Sequence, residues 1–562
     1  MFNLRKTHKW LALIVGLQIL LWGISGLYMT IVDIDTIHGD HLVKDVSPTI
    51  ISSKSIVPIP QSILDEFEHD DKNKALISIN LRNIAGKAYY QLRSKRKNLL
   101  IDASSGEKPS EITQLVIQNQ IDKYYAGNSE LKSLELLKRY PSEIGGRKNT
   151  VWQAQFDDLY NSTLYFDSST GRLISKRTDL WRAFDFLWML HIMDYNTRTD
   201  IENSIFRIFA VLSLIFTFVG WLLLYLRLKN PIKMTASMKA KKDSPSKWLL
   251  TIRKTHRWIA LLVSIQLFLW IAGGVTFSFM DMRAAGGNFI YKNTPKDTIK
   301  TVVDHKRILE SYPNTTRINQ YSQLGKTYAK VWIKNEGNVI LDQSYDVVEQ
   351  LTRAQVKRIA MSRYAGKGET LVVDKMTSHT DENYQFSLPH WRLTFADEYN
   401  SRVYLTNDTG QFLATRTDTW KIYDFFMMVH FMDYWERGDF NNVVVIFFAL
   451  VLLLFSLSGL LLLNQSFSKN DFLRLLNRIW HKKKITLEVR QSNGKVEVTE
   501  ILKYEILFDA LKRINNQPKS QCGGASECRK CWVKQKINDI DDHKVILSCQ
   551  TIVTQDLAIE IK

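Results

Sequence analysis

Residues 4–32, LRKTHKWLALIVGLQILLWGISGLYMTIV, return at 252–280 as IRKTHRWIALLVSIQLFLWIAGGVTFSFM. Each copy opens on Arg-Lys-Thr-His and then runs apolar for more than twenty residues. About 20 apolar residues reach across the hydrocarbon core of a bilayer. The copies stay in register at Trp, Gln, Trp and Gly, which points to duplication of a membrane-spanning segment. Each brings one histidine to the start of its span, His8 and His256.

The expected spans are Trp10–Val32, Ile208–Leu226, Trp258–Met280 and Val443–Leu463. A mean hydropathy of −0.18 over the whole chain implies a few spans carrying large polar regions. The stretch 227–254 between spans two and three is short and rich in Lys and Arg. Basic loops stay in the cytoplasm, so this loop, the N-terminus and the tail are expected inside, and 33–203 and 281–441 outside. The first span, with no small-residue cleavage site after it, reads as a retained signal anchor in a bacterial inner membrane. The net charge of +18 comes largely from basic clusters flanking the spans. That argues for lipid as the partner of this charge and against nucleic acid.

The long regions repeat as well. VWQAQFDDLYNSTLYFDSSTGRLISKRTDLW at 151–181 parallels HWRLTFADEYNSRVYLTNDTGQFLATRTDTW at 390–420. Alternation around Ser-Ser-Thr-Gly reads as a hairpin, and apolar-periodic stretches such as ITQLVIQNQIDKYY read as helices. The expectation is two small α+β domains outside the membrane. After each hairpin comes a second histidine, in RTDLWRAFDFLWMLHIMDY (His191) and RTDTWKIYDFFMMVHFMDY (His430). Asp179 and Asp418 are expected to cap these segments. His38, His41 and His390 have no repeat counterparts, standing against Gly286, Phe289 and Val151, and read as ordinary loop histidines.

All four cysteines fall near the C-terminus, as Cys522-Gly-Gly-Ala-Ser-Glu-Cys528-Arg-Lys-Cys531 and then Cys549. Four thiolates suit a [2Fe–2S] cluster, for which a long first gap followed by C-x2-C is a usual spacing. Zinc is the alternative for the same four ligands, although zinc sites favour paired C-x2-C units and only one is present. A reactive or disulfide-forming set is the third option. The five-residue first gap, Cys-Gly-Gly, and Leu547-Ser-Cys549-Gln resemble the adrenodoxin-type ferredoxins. The strand–turn–strand–helix before them resembles the ferredoxin β-grasp fold. The resemblance covers about 483–562 and implies a cytoplasmic [2Fe–2S] domain.

Matched histidines in a duplicated bundle sit about a pseudo-twofold axis. Facing side chains in helical bundles commonly build cofactor sites, and imidazole is an established haem ligand. His8 with His256, and His191 with His430, are thus candidate ligands of two b-type haems. Arg207, at the start of the second span, is a candidate partner for a haem propionate; its repeat counterpart is Ile446. Gln18 and Gln266 lie mid-span, suited to orient a ring edge or to bond across helices.

A His-bearing span, an α+β unit with a YFDSSTG hairpin, and a second His-bearing segment before the next span resemble the PepSY-associated transmembrane family, here twice over about 1–465. The layout expected is: 1–33, first span; 34–178, first PepSY-like domain; 179–228, His-bearing segment and second span; 229–254, basic loop; 255–281, third span; 282–417, second PepSY-like domain; 418–464, His-bearing segment and fourth span; 465–483, amphipathic linker; 484–562, ferredoxin-like domain. The resemblance implies an oxidoreductase that passes electrons from a cytoplasmic donor to a periplasmic acceptor, a ferric siderophore or other ferric chelate. The absence of a Gly-rich dinucleotide fingerprint makes the donor a separate protein. The other readings are a PepSY-type binding or peptidase-inhibiting protein with a redox-sensing cluster, and a quinone-linked oxidoreductase. No catalytic side chain is singled out.

Overall fold

A computed structural model describes residues 4–68, 75–84, 86–95, 98–109, 112–147, 149–229, 247–291, 297–435, 437–467, 469–518, 520, 530–536 and 543–561. Most of the basic loop, together with Cys522 and Cys528, lies outside the described residues. The chain divides into two compact units. One comprises Met1–Leu27, Arg207–Val275 and Ile446–Lys562, and the other Tyr28–Phe206 and Thr276–Val445.

The second of these units is built on sheets. In the first repeat, β1 (Ser78–Ile84), β2 (Lys87–Arg93) and β3 (Asn98–Asp102) form a meander. β4 (Leu131–Leu137), β5 (Val151–Phe156), β6 (Thr163–Asp167) and β7 (Leu173–Arg177) form a four-stranded sheet. The second repeat does the same with β8 (Thr315–Gln323), β9 (Lys326–Ile333) and β10 (Gly337–Asp342). Its four-stranded sheet is β11 (Thr370–Met376), β12 (His390–Phe395), β13 (Arg402–Thr406) and β14 (Phe412–Arg416).

Two separate α+β domains would leave the β1 and β8 edges open, and an unpaired edge is a liability. Instead β1 pairs antiparallel with β8, and the two meanders become one six-stranded sheet, β10-β9-β8-β1-β2-β3. The pairing centres on Asn80 opposite Asn319. Strand alternation then divides the faces. Ile79, Leu81 and Ile318 are fully buried and pack with Ile63, Phe67, Ile308 and Leu309. Ser78, Asn80, Arg82, Arg317, Asn319 and Tyr321 occupy the other face.

Two linker helices, Asp179–Ile192 and Asp418–Phe431, follow the four-stranded sheets. Their caps are not the aspartates expected from sequence. Thr178 and Thr417 take the N-cap position, and their side chains accept from Trp181 N and Trp420 N. Asp179 and Asp418 are the first helical residues, hydrogen-bonded by Asn161 and Asn400. The threonine one residue earlier already has the extended backbone a cap requires.

The other unit holds the apolar helices. Among the described residues, four helices, Leu4–Ile31, Ser204–Lys229, Lys247–Phe279 and Val443–Ser466, are long and apolar enough to cross a membrane. Val15 and Ile19 of the first pack with their repeat counterparts Val263 and Leu267 of the third. This seam is therefore a pseudo-twofold contact. Gln18 and Gln266, one position before Ile19 and Leu267, are buried. Leu17, Ile208, Phe218, Ile265, Phe447 and Leu454 are exposed on the helices, as surfaces in contact with lipid are.

The tail after the fourth span forms a mixed sheet of β15 (Lys484–Gln491), β16 (Val496–Leu502), β17 (Trp532–Lys536), β18 (His543–Leu547) and β19 (Leu557–Ile561). The order is β16-β15-β19-β17-β18, with β15 and β19 parallel at the centre. The helix Leu507–Arg513 packs on it through Leu507, Ala510 and Leu511.

Candidate functional site

The duplicated sequence sets matched histidines on matched helices. His191 and His430, each in the last turn of a linker helix, come together in the sheet-bearing unit with ring centres 6.1 Å apart and planes at 86°. Metal–imidazole bonds are about 2 Å, so a metal ligated from both sides holds ring centres roughly 6 Å apart. The pair fits that spacing. Burial takes His191 down to about 3 and His430 to about 4, and the neighbouring ring adds to the shift at His191. Both imidazoles are neutral near pH 7, the form that ligates a metal. Each ring is only half-buried by area, whereas Nδ1 of His430 is fully covered.

The turn after each histidine fixes its position. Met193 (φ 55°) and Met432 (φ 53°) adopt the left-handed conformation and stop the helix. That geometry costs a side-chain-bearing residue about 1–2 kcal/mol, so the contacts around it must hold it. Asp194 accepts from the backbone N–H groups of Thr197, Thr199 and Asp200. These bonds and the Thr197 hydroxyl hold its carboxyl far below the usual carboxylate range. Asp433 does the same for Gly438 and Asp439. Asn203 donates to Ile192 O and accepts from Phe206 N, bridging one helix end to the next helix start. Asn442 repeats this with Phe431 and Val445.

His8 and His256 lie in the other unit. Phe216 stacks on His8 at 4.4 Å, and Phe455 on His256 at 4.4 Å. One turn on, Gly220 and Gly459 face the same rings. A Cβ at these glycines would stand 3.3 Å from His8 Cε1 and 3.2 Å from His256 Cε1. Nδ1 of His256 is 2.8 Å from the Ser458 hydroxyl, and Nδ1 of His8 is buried. A partner on one ring nitrogen leaves the other for a ligand, so Nε2 is the candidate ligand atom at His256.

The tail joins the same unit. Cys531 and Cys549 are buried beside Phe508 with sulfurs 2.9 Å apart. The Cys549 sulfur holds the Cys531 thiol down to about 6, which favours the thiolate that binds metals. The next residue after Phe508 is Asp509, and it pairs with Lys6, two residues before His8. Lys9 reaches Asp471 at 3.0 Å, and Trp10 packs edge-on against Phe467 and Phe472. The helix lining the cysteine pair is thus tied to the turn that carries His8.

Arg207 is half-buried near the start of the second span. His38 and His41 are exposed. The His38 ring clusters with Asp35 and Asp40, and Asp40 already pairs with Lys176. His390 is fully buried, bonded to Asn383 and to Ser387 O, which is the ordinary structural role expected of it. The sequence reading missed Phe216, Gly220, Asp194, Asn203 and their counterparts. Their signal is the repeat itself: setting F-x3-G at 216–220 against 455–459 would have found two of the pairs.

Four apolar helices, a duplicated polar unit and two sets of matched histidines mark a membrane-spanning protein built by duplication. The sequence pattern of the PepSY-associated TM region matches residues 5–311, and the chain belongs to that family. The match ends inside the second repeat, whose remaining elements copy the first in order and pairing. No curated protein matches the chain.

Proposed function

We propose that this protein is an electron-transfer reductase of a bacterial inner membrane, with its termini in the cytoplasm. It accepts electrons from a cytoplasmic donor and delivers them to a periplasmic acceptor, best fitted by ferric iron in a siderophore or similar chelate. A [2Fe–2S] cluster in the tail and two b-type haems, when bound, supply one-electron carriers. The reaction at the acceptor is Fe(III) plus one electron to Fe(II), with no proton or covalent group transferred.

The observation that carries this reading is the His191–His430 pair, neutral and at bis-ligand spacing. His8 and His256, stacked by Phe216 and Phe455 and crowded by Gly220 and Gly459, are the proposed ligands of the second haem. Cys531 and Cys549 are two of the four proposed cluster ligands; Cys522 and Cys528 complete the set in sequence. The tail's strand order, with its central parallel pair and packed helix, matches the β-grasp arrangement of ferredoxins. The Lys6–Asp509 pair ties the helix that lines the cysteines to the turn that carries His8, which supports a route between the two. Phe508, between the cysteines and Asp509 in this chain of contacts, excludes water from the sulfurs.

Reduced-minus-oxidised spectra of the purified protein test the reading. The expected result is b-haem bands together with [2Fe–2S] absorption, and His430→Leu should remove one haem while leaving the cluster. A colourless protein after cofactor-replete expression would overturn it.

A further inference from the structure

The shared six-stranded sheet has one apolar and one polar face, and the polar face is strongly basic. Arg82 on β1 stands directly opposite Arg317 on β8. Like charges at facing ladder positions destabilise a sheet. Among the described residues neither arginine forms an ion pair, and Asp167 acts on Arg82 only through its field. Arg82 has its Nε and Nη2 buried without a hydrogen-bond partner, and Arg172 adds a further positive charge close to both. Arg317 leans on the Trp332 ring at 4.6 Å and donates to Asn80 at 3.0 Å. The acids nearby are already engaged. Asp167 accepts from Ser169 and Thr170 in its own turn, and Asp408 pairs with Lys330 at 2.6 Å.

Beside this face is a cavity of about 600 Å³. Arg93, Arg317 and Arg363 line it with Asn80 and Asn319, and its aromatic wall is Tyr291 stacked on Phe412 at 4.4 Å. No aspartate or glutamate is among its lining residues. A buried guanidinium with unmade hydrogen bonds is costly unless something else makes them. Guanidinium forks match carboxylate oxygens two at a time.

We propose that this cleft, formed where the two repeats share a sheet, binds a carboxylate-rich ferric chelate through Arg93, Arg317 and Arg363, with Arg82 adding its charge from the ladder position facing Arg317. That the anion carries iron rests on the reductase reading above; the anion-binding chemistry does not. The duplication creates the site, because the first repeat supplies Asn80 and Arg93 to its lining and the second supplies Arg317 and Arg363.

Titration calorimetry of the full chain in nanodiscs, with ferric citrate as probe, tests this. Ferric citrate should bind, and added salt should weaken it. Arg82→Gln with Arg317→Gln should weaken binding about tenfold or more and flatten the salt dependence. A ferric trihydroxamate without net negative charge should bind more weakly and ignore salt. Should the double variant fail to fold, Arg93→Gln on the exposed rim gives the same reading with a smaller loss. Ferric citrate binding that ignores these substitutions overturns the proposal, as does equal binding of inorganic phosphate, which lacks carboxylates; citrate binding equally well without iron overturns the ferric part of it. Arginine-dependent binding in a protein that never reduces iron would sink the reductase reading alone. Iron reduction by a protein whose chelate binding ignores the arginines would sink this proposal alone.

Discussion

Two glycines carry as much of the site as the histidines they face. Gly459 leaves 3.2 Å between a would-be Cβ and His256 Cε1, tighter than ordinary carbon contacts. Gly459→Ala should therefore tilt the imidazole and lower occupancy of that haem by about half or more, with the other haem and the cluster intact. Haem counted per polypeptide by pyridine haemochrome checks this; unchanged stoichiometry and spectrum would mean the glycine is only a packing residue. The His191–His430 pair makes a pH prediction. Both are held below 6.5 by burial, to about 3 and 4. The unfolded chain therefore takes up protons below pH 6.5 that the folded cofactor-free protein refuses, until pH reaches those lower values. Stability rises with pH wherever the unfolded state binds more protons. The cofactor-free protein should lose stability steadily between about pH 6.5 and 4. In His191→Leu/His430→Leu this slope should shrink, and thermal melts across that range would show it; an equal slope in both proteins would refute the assignment.

At the scale of elements, the turn after each linker helix fixes where its histidine stands. Asn442 closes the end of one helix and opens the next, so Asn442→Ala removes a cap from both. The loss should be about 1–2 kcal/mol of local stability, read as faster amide exchange through residues 428–446. Exchange unchanged from the parent would show that the Asp433 turn alone holds the joint. The spans, the hairpins and the matched histidines were legible in the sequence because apolar length and period-two alternation are local signals. The threonine caps were misread by one residue, since Thr-Asp offers two good capping side chains and only backbone geometry chooses between them. The joint sheet was not legible at all. The pairing of β1 with β8 links residues more than two hundred positions apart, and no local pattern announces such a partner. Its hint was present only in the polar face of β1, where Arg82 is an odd choice for an independent domain.

Over the whole molecule, the duplication gives matched imidazoles and the tail gives a buried cysteine pair, and Lys6–Asp509 connects the tail to the turn bearing His8. A half-exposed ion pair of this kind adds little stability, so its proposed value is positional. Lys6→Glu should leave the melting temperature within a few degrees and slow haem reduction by the pre-reduced tail several-fold at low salt. Stopped-flow absorbance at the haem band measures that rate, and an unchanged rate would remove the pair from the route. The central claim is that the His191–His430 pair shares one haem. A redox titration of His430→Leu beside the parent protein, followed in the visible bands with the cluster monitored by electron paramagnetic resonance, tests it most directly. The account requires one bis-imidazole haem component to vanish while the second haem and the cluster signal persist; both haems titrating as in the parent would contradict it.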